Sequence, residues 1–239
     1  MAENPYILSE TMFVQPKDAS TLVIMRHPEK GGSGPEVLML LRSPESPFVP
    51  SSYVFPGGGM DDADCAQDIF NSWAEPDPGQ IKTVAEKIGS EDMARALWVT
   101  CVRETFEETG ILYAYRCGGG FFSTEKDGDM LSYYRERINR GELPFVKMVR
   151  DEKMALAADR IGFLSHWVTP FFSPIRYSAY FFSAMAPDGQ VAVHDGREIV
   201  DHLWISPSEA LRRNRRGSFR MVFPTIATLE EVDTSGGAR

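Results

Sequence analysis

The feature that most constrains this chain is a long helix-forming segment with a marked beginning and end. The pattern predicts a helix over about 92–109, with Ser90 as its N-cap. Gly110 follows at the position where helices commonly end in a left-handed residue. Val102 and Phe106 are four residues apart and mark the face that must be buried. A chain with such a helix must pack one of its sides against other elements.

Three glutamates crowd the opposite face near the end of this helix. Glu104, Glu107 and Glu108 have the i, i+3, i+4 spacing that places side chains together, and Arg103 lies four residues before Glu107, where it can orient that carboxylate. Like charges at this spacing repel, and the helix dipole disfavours anions at a C-terminus. A hard divalent cation would compensate for both effects. The alternative is a solvated acidic surface, typical of charge runs.

The residues around this cluster carry a family resemblance. FPGGGMDDAD (55–64) followed by RETFEETGI (103–111) resembles the Nudix box, G-x5-E-x7-R-E-U-x-E-E-x-G-U, where U is a bulky apolar residue. The second half is complete, but the first half has Asp64 where the pattern has glutamate. Between Asp64 and Arg103 lie 38 residues instead of seven, so the box is split by 31 residues and Asp64 receives no role. A split box resembles the CoA-diphosphatase branch found in peroxisomes and its bacterial relatives.

A second stretch resembles the CoA signature of that branch. LMLLRS (38–43) and then FPGG (55–58) have its spacing, although Pro47 and Ser51 stand where it has arginine and glycine. The glycines could place backbone against a phosphate. The resemblance implies these substrate-binding residues: Arg42, Gly57, Gly58 and Asp61.

Further candidates lie outside the box. Nudix enzymes often supply another acid from a loop, for which we select Glu198, with Asp195 and Asp201 as rivals. An ordinary surface carboxylate is an equally simple interpretation. Arg176 could bind a phosphate through two donors, and Trp167 could stack on a base.

The pattern of elements predicts an α/β fold, with strands at 21–27, 36–42, 176–186 and 199–205. Residues 125–160 have a helical rhythm that is interrupted near Gly141 and Pro144. The resemblance implies a Nudix-type α/β/α sandwich with a mixed sheet. We expect one domain over 1–239, with insertions at about 65–95 and 125–165.

Composition limits the partners. The net charge is −9, with 34 acidic and 25 basic residues, which opposes non-specific binding to nucleic acid. The first 20 residues lack the charged and apolar regions of a signal peptide, and no apolar run has the length of a membrane span. Three cysteines are too few for a disulfide framework. We therefore expect a cytoplasmic protein with a small-molecule partner, and the sequence allows a homodimer.

The resemblance implies a metal-dependent enzyme. Glu104, Glu107 and Glu108 would hold Mg²⁺ or Mn²⁺, Arg103 would assist, and Glu104 or Glu198 would act as the base. The reaction would be hydrolysis of the diphosphate linkage in a nucleoside diphosphate derivative, with CoA or acyl-CoA as the leading substrate. ADP-ribose, NADH and dinucleoside polyphosphates are alternatives, as is a Nudix-fold binding module without catalysis.

Overall fold

The computed structural model describes residues 14–28, 34–71 and 73–236. These residues form nine strands and seven α-helices. The strands are β1 (Lys17–Arg26), β2 (Glu36–Arg42), β3 (Tyr53–Val54), β4 (Gly57–Gly59), β5 (Ala114–Tyr115), β6 (Ala155–Leu156), β7 (Gly162–Val168), β8 (Tyr177–Met185) and β9 (Ile199–Ile205). The helices are α1 (Gln67–Phe70), α2 (Pro78–Ile88), α3 (Glu91–Thr109), α4 (Thr124–Asn139), α5 (Phe145–Asp151), α6 (Pro207–Arg215) and α7 (Phe223–Gly236).

The main sheet is mixed, as predicted, and β1 lies at its centre. One edge of β1 pairs with β8 in parallel, from Lys17 opposite Tyr177 onward. Its other edge is shared, because the first half pairs antiparallel with β4 and the last residues pair antiparallel with β2. Strand β2 also pairs with β3 and β9, and β7 pairs with β8. The glycine strand β4 is thus fixed beside the start of β1.

Alternating residues of the central strands fill two cores on opposite faces of the sheet. Leu22 and Ile24 of β1 are fully buried in the core that contains α2 and α3. Val23 between them is fully buried in the core that contains α6 and α7. This period of two is what a strand covered on both faces requires. The predicted α/β sandwich is confirmed.

Helix α3 begins and ends where its sequence predicts. The Ser90 side chain accepts a hydrogen bond from the Met93 N–H, and Gly110 has a φ of 73° and closes the helix through its own N–H. Helices α4 and α5 are separated at residues 140–144, as the glycine and proline there indicated. The helical prediction over 125–160 was wrong beyond Asp151, because β6 and a short 3-10 turn at Ala158–Arg160 follow. Strand β7 forms through antiparallel pairing with β8, a long-range contact that local rhythm does not show.

Among the residues that the structure describes, the helices lack the combination of length and apolar character that crossing a membrane requires.

Candidate active site

The acidic end of α3 lies directly against the glycine strand β4. The Gly57 N–H donates a hydrogen bond of 2.9 Å to Oε2 of Glu108. A Cβ atom on Gly58 would lie 2.4 Å from Cδ of Glu104, so only glycine admits that carboxylate. The sequence indicated that these glycines expose backbone to a substrate phosphate. In the structure both are in contact with the glutamates of α3.

Arg103 ties the two halves of the split box together. Its guanidinium donates to Asp64 at 2.9 Å, to Glu104 at 2.9 Å and to Glu107 at 3.3 Å. It also donates to the Gly59 carbonyl of β4 at 2.7 Å. The predicted contact with Glu107 is present, and one buried cation holds three carboxylates and a strand in fixed positions.

Asp64 is the residue whose importance the sequence left unassigned. Its side chain is completely buried, and besides Arg103 it accepts hydrogen bonds from the Thr100 hydroxyl at 2.9 Å and the Asp61 N–H at 3.0 Å. The count of five residues from Gly58, which places Asp64 at the first acidic position of the box, was the signal for this role. The 31-residue insertion concealed it, because α1, α2 and the first turns of α3 fold between the two partners.

Burial and mutual repulsion raise the pKa values of the three glutamates. Burial is the largest cause for Glu104, whose pKa rises to about 7 even though Arg103 opposes the shift. Burial also raises the pKa of Glu107, against the influence of Arg103. The pKa of Glu108 is raised well above its ordinary value by burial and then by the charge of Glu104. Burial and the neighbouring carboxylates therefore disfavour the fully ionised cluster unless further positive charge is present.

This donor set suits a hard divalent cation. All three glutamates present carboxylate oxygens, which Mg²⁺ and Mn²⁺ prefer, and additional positive charge would relieve their repulsion. The described residues contain no group of three or more acidic, cysteine or histidine side chains already arranged around a common point. Instead, Glu104 and Glu107 are hydrogen-bonded to Arg103 and Glu108 to Gly57. The chemistry of the residues fits a metal, whereas their present contacts are with the protein.

Arg42 and Glu198 form a polar flank next to Glu108. The Arg42 guanidinium donates to Oε1 of Glu198 at 2.5 Å and also to the Ser46 hydroxyl and the Phe48 carbonyl. Of the two charges, that of Glu198 raises and that of Arg42 lowers the pKa of Glu108, after the larger effects of burial, Glu104 and the Gly57 hydrogen bond. Glu198 is half-exposed, with 54% of its side chain accessible. The structure therefore brings both predicted residues to the cluster.

The other acidic candidates have different surroundings. Asp195 accepts hydrogen bonds from the N–H groups of Glu198 and Ile199, so it shapes the turn that presents Glu198. Asp201 lies within β9, opposite Leu41 of β2. Asp61 is exposed at the mouth of the site, 3.9 Å from Arg103.

Trp167 and Arg176 are placed away from the cluster. The Trp167 ring packs against Phe223 at 5.5 Å, on the face of the sheet that α7 covers, opposite α3. Arg176 precedes β8 and donates to the carbonyls of Thr169 and Val14. Neither has a hydrogen bond or ring contact with the acidic cluster in the part of the chain that the structure describes. Contact of these two residues with a substrate stays a prediction; in the structure their side chains pack against or hydrogen-bond to neighbouring elements.

Helix α4 supplies two residues that the sequence did not single out. The Arg135 Nε donates to the Glu107 carbonyl at 3.0 Å, and the Asn139 amide donates to the same oxygen at 3.1 Å. Burial lowers the pKa of Arg135, while Asp195, Glu108 and Glu107 oppose that shift. A cation at the C-terminus of a helix stabilises it. Arg135 thus offsets the unfavourable position of the acidic cluster on α3.

A cavity of about 280 Å³ opens beside Glu107. One wall consists of charged residues of the box and the other of apolar residues from the end of α4 and the start of α5. The lining residues are Asp61, Ala63, Asp64, Arg103, Glu107, Ile138, Gly141, Leu143, Pro144, Phe145 and Val146.

Comparison with known proteins agrees with this geometry. A family model described as the NUDT19 Nudix domain matches residues 16–231, which include β1, the glycine strand, the acidic helix and the α4–α5 wall. The chain belongs to the NUDT19 Nudix domain family. Nudix hydrolases generally use divalent metal ions, in agreement with the donor set on α3.

The curated relatives and a solved structure extend this assignment. The acyl-coenzyme A diphosphatase NUDT19 of Xenopus laevis is 28% identical over 206 residues, covering 74% of this chain and 54% of the relative. The Homo sapiens protein of the same name is 27% identical over 209 residues, covering 74% and 55%. The chain therefore spans about half the length of these relatives. The crystal structure of a NUDIX hydrolase from Alicyclobacillus acidocaldarius covers 92% of both chains, with 25% identity and a TM-score of 0.76.

Proposed function

We propose that this protein hydrolyses the diphosphate linkage of CoA or an acyl-CoA in a reaction that depends on Mg²⁺ or Mn²⁺. The observation that carries the proposal is the set of three glutamates on α3, held by Arg103 and the glycine strand beside an open cavity. The choice of CoA as substrate is supported by the Xenopus laevis and Homo sapiens relatives, which are named acyl-coenzyme A diphosphatases. Water would cleave the linkage to give 3′,5′-ADP and a phosphopantetheine product.

The residues of the chain would divide the work by position. Glu104, Glu107 and Glu108 would hold the metal, which when bound neutralises phosphate charge and lowers the pKa of water. Arg103 would hold the carboxylates of Glu104 and Glu107 in position through its hydrogen bonds. Glu198 would accept a proton; its half-exposed carboxylate and its influence on Glu108 support this role. Arg42 would hold Glu198 in place through their ion pair.

The first test concerns the metal. Excess chelator should abolish hydrolysis, and Mg²⁺ or Mn²⁺ should restore it, because the carboxylate cluster alone repels an anionic substrate. Hydrolysis that continues undiminished in chelator would contradict the metal assignment. Complete inactivity toward every substrate with metal present would favour the alternative of a binding module.

The second test concerns the substrate. CoA, acyl-CoA, ADP-ribose, NADH and diadenosine polyphosphates should be compared at equal concentration, with products identified by mass spectrometry. We expect CoA or its thioesters to be cleaved with a kcat/KM of roughly 10⁴ M⁻¹s⁻¹ or above, the lower end for true substrates. Untouched CoA together with efficient cleavage of another compound would contradict the CoA proposal alone.

The cytoplasmic location and a homodimer remain predictions.

A further inference from the structure

The cavity beside Glu107 has two chemically different walls. Glu107 and Asp61 bring negative charge to one side, next to the position proposed for the diphosphate. The opposite side presents Ile138, Leu143 and Val146, which are apolar. A ligand that fills this space meets carboxylates at one end and hydrocarbon at the other.

The size of the cavity admits one arm of a CoA molecule. Pockets that enclose a complete drug-sized ligand measure roughly 300–1,000 Å³, and CoA is larger than such ligands. A cavity of about 280 Å³ therefore accommodates the part of the substrate that lies on one side of the diphosphate. The two candidates are the adenosine arm and the pantetheine arm.

Charge argues against the adenosine arm. That arm of CoA carries an additional 3′-phosphate, whereas the lining residues include three acids, Asp61, Asp64 and Glu107, and one cation. The cation, Arg103, already donates to two of those acids, to Glu104 and to a carbonyl. A second phosphate in this cavity would meet uncompensated negative charge, which is strongly unfavourable away from bulk water.

The aromatic content of the cavity argues the same way. Adenine rings are commonly bound by stacking on an exposed aromatic face. Phe145 is the aromatic residue among the described lining residues, and it is only 2% exposed because its ring packs near that of Phe106 at 6.2 Å. The ring of Phe145 is therefore buried in the core and is not available for stacking on adenine.

We propose that the α4–α5 wall is the subsite for the uncharged pantetheine arm, so that the neutral gem-dimethyl segment next to the diphosphate lies against Leu143. This inference rests on the proposed CoA hydrolysis and assigns its orientation. The pantetheine arm has no charge beyond the diphosphate, and its branched carbons match an apolar wall. Leu143 is only partly buried, which leaves side-chain surface available to a ligand.

The experiment compares Leu143→Ala with Leu143→Met in the full chain. Removing three carbons from the wall should raise the KM for CoA and the inhibition constant of 4′-phosphopantetheine by about five- to tenfold, given the value of each buried methylene. The inhibition constant of 3′,5′-ADP and kcat should stay within twofold of wild type. Leu143→Met retains the apolar volume and should behave like wild type. Phe172→Ala, at a position 77% exposed in the loop between β7 and β8 and not among the residues that line the cavity, is the matched control and should change none of these constants.

Each alternative result has a distinct meaning. A weaker inhibition by 3′,5′-ADP with unchanged inhibition by phosphopantetheine would place the adenosine arm in the cavity and overturn the inference. Unchanged constants for both products would also overturn it. A wild-type enzyme that leaves CoA intact would instead contradict the proposed function, and the inference would fail with it.

Discussion

The acidic end of α3 has two sides that are built on different principles. On the box side, Asp64 and Arg103 are buried and bind one another through several hydrogen bonds, and the glycine strand closes against them. On the α4–α5 side, Arg135 and Asn139 donate hydrogen bonds to the main-chain carbonyl of Glu107, and Phe145 packs near Phe106. A cavity with an apolar wall lies beside these contacts. The box side holds charged side chains in fixed positions, whereas the α4–α5 side leaves a cavity.

Under the proposed function, residues on the box side would act on the diphosphate, and residues on the α4–α5 side would bind another part of the substrate. Buried charges tolerate little change, because removal of one partner leaves the other without compensation. The carbonyl contacts and apolar wall of α4–α5 should tolerate substitution more readily, as the proposed role of this segment in binding one arm of the substrate requires. The following variants test this contrast in order of expected size.

The largest effect should come from Asp64→Ala on the box side. Loss of a completely buried carboxylate from the Arg103 network should lower the free energy of unfolding by about 3–5 kcal/mol. Urea denaturation would measure it. Asp68→Ala removes the same charge from an exposed pair with Arg150 and should cost far less, because water screens an exposed ion pair. Equal losses for the two variants would show that the box side has no special charge network.

Glu107→Gln tests the residue that both sides share. We expect kcat to fall roughly a hundredfold or more, as for loss of a charge-stabilising group. Without metal, the melting temperature should be unchanged or higher, because a repulsive charge has been removed. Glu86→Gln, on the exposed face of α2, should alter neither quantity. Normal turnover by Glu107→Gln would show that the acidic cluster is only a surface feature without a catalytic role.

Arg135→Met probes the polar contact on the α4–α5 side. Loss of the cation and donor at the end of α3 should lower the free energy of unfolding by about 1 kcal/mol. Because Glu107 would be less firmly held, kcat/KM should fall by a few-fold, a smaller change than for Glu107→Gln. Arg140→Met removes an exposed arginine of the same segment and provides the control. A loss as large as that of Asp64→Ala would erase the contrast between the two sides.

Ser51→Gly should have the smallest effect and the opposite sign. Ser51 has a φ of 52°, a left-handed conformation that favours glycine, in the loop that Arg42 binds. Relief of this strain should raise the free energy of unfolding by about 0.5–1 kcal/mol. Ser51→Ala keeps the Cβ atom and should give no gain. Destabilisation by glycine would show that the serine conformation carries no strain.

The sequence predicted those parts of the molecule that depend on local signals. The limits of α3 followed from Ser90 and Gly110, and β9 was predicted over the same residues, 199–205, that the structure shows. The position of Glu104, Glu107 and Glu108 on one face of α3 followed from helical spacing alone. The proximity of Arg42 and Glu198 to the cluster followed from a family resemblance.

The missed features depend on contacts between distant segments. The Asp64–Arg103 pair joins residues 39 positions apart, and the insertion between them hid the pairing. Arg135 lies 28 positions beyond Glu107, and helical rhythm gives no information about which face of α4 meets α3. The surroundings of Trp167 and Arg176 depend on distant segments in the same way, because β7 and its register with β8 are set by the sheet.

The pairing of β1 with β8 also sets the order in which the molecule can be assembled. Lys17 meets Tyr177 across the centre of the sheet, 160 positions along the chain, whereas α2 and α3 are neighbours separated by Gly89 and Ser90. Local contacts form quickly and distant ones slowly. During synthesis the helical pair can form early, but β1 must wait for β8 to emerge. Glu198 emerges later still, so its ion pair with Arg42 can form only after β8 has been synthesised.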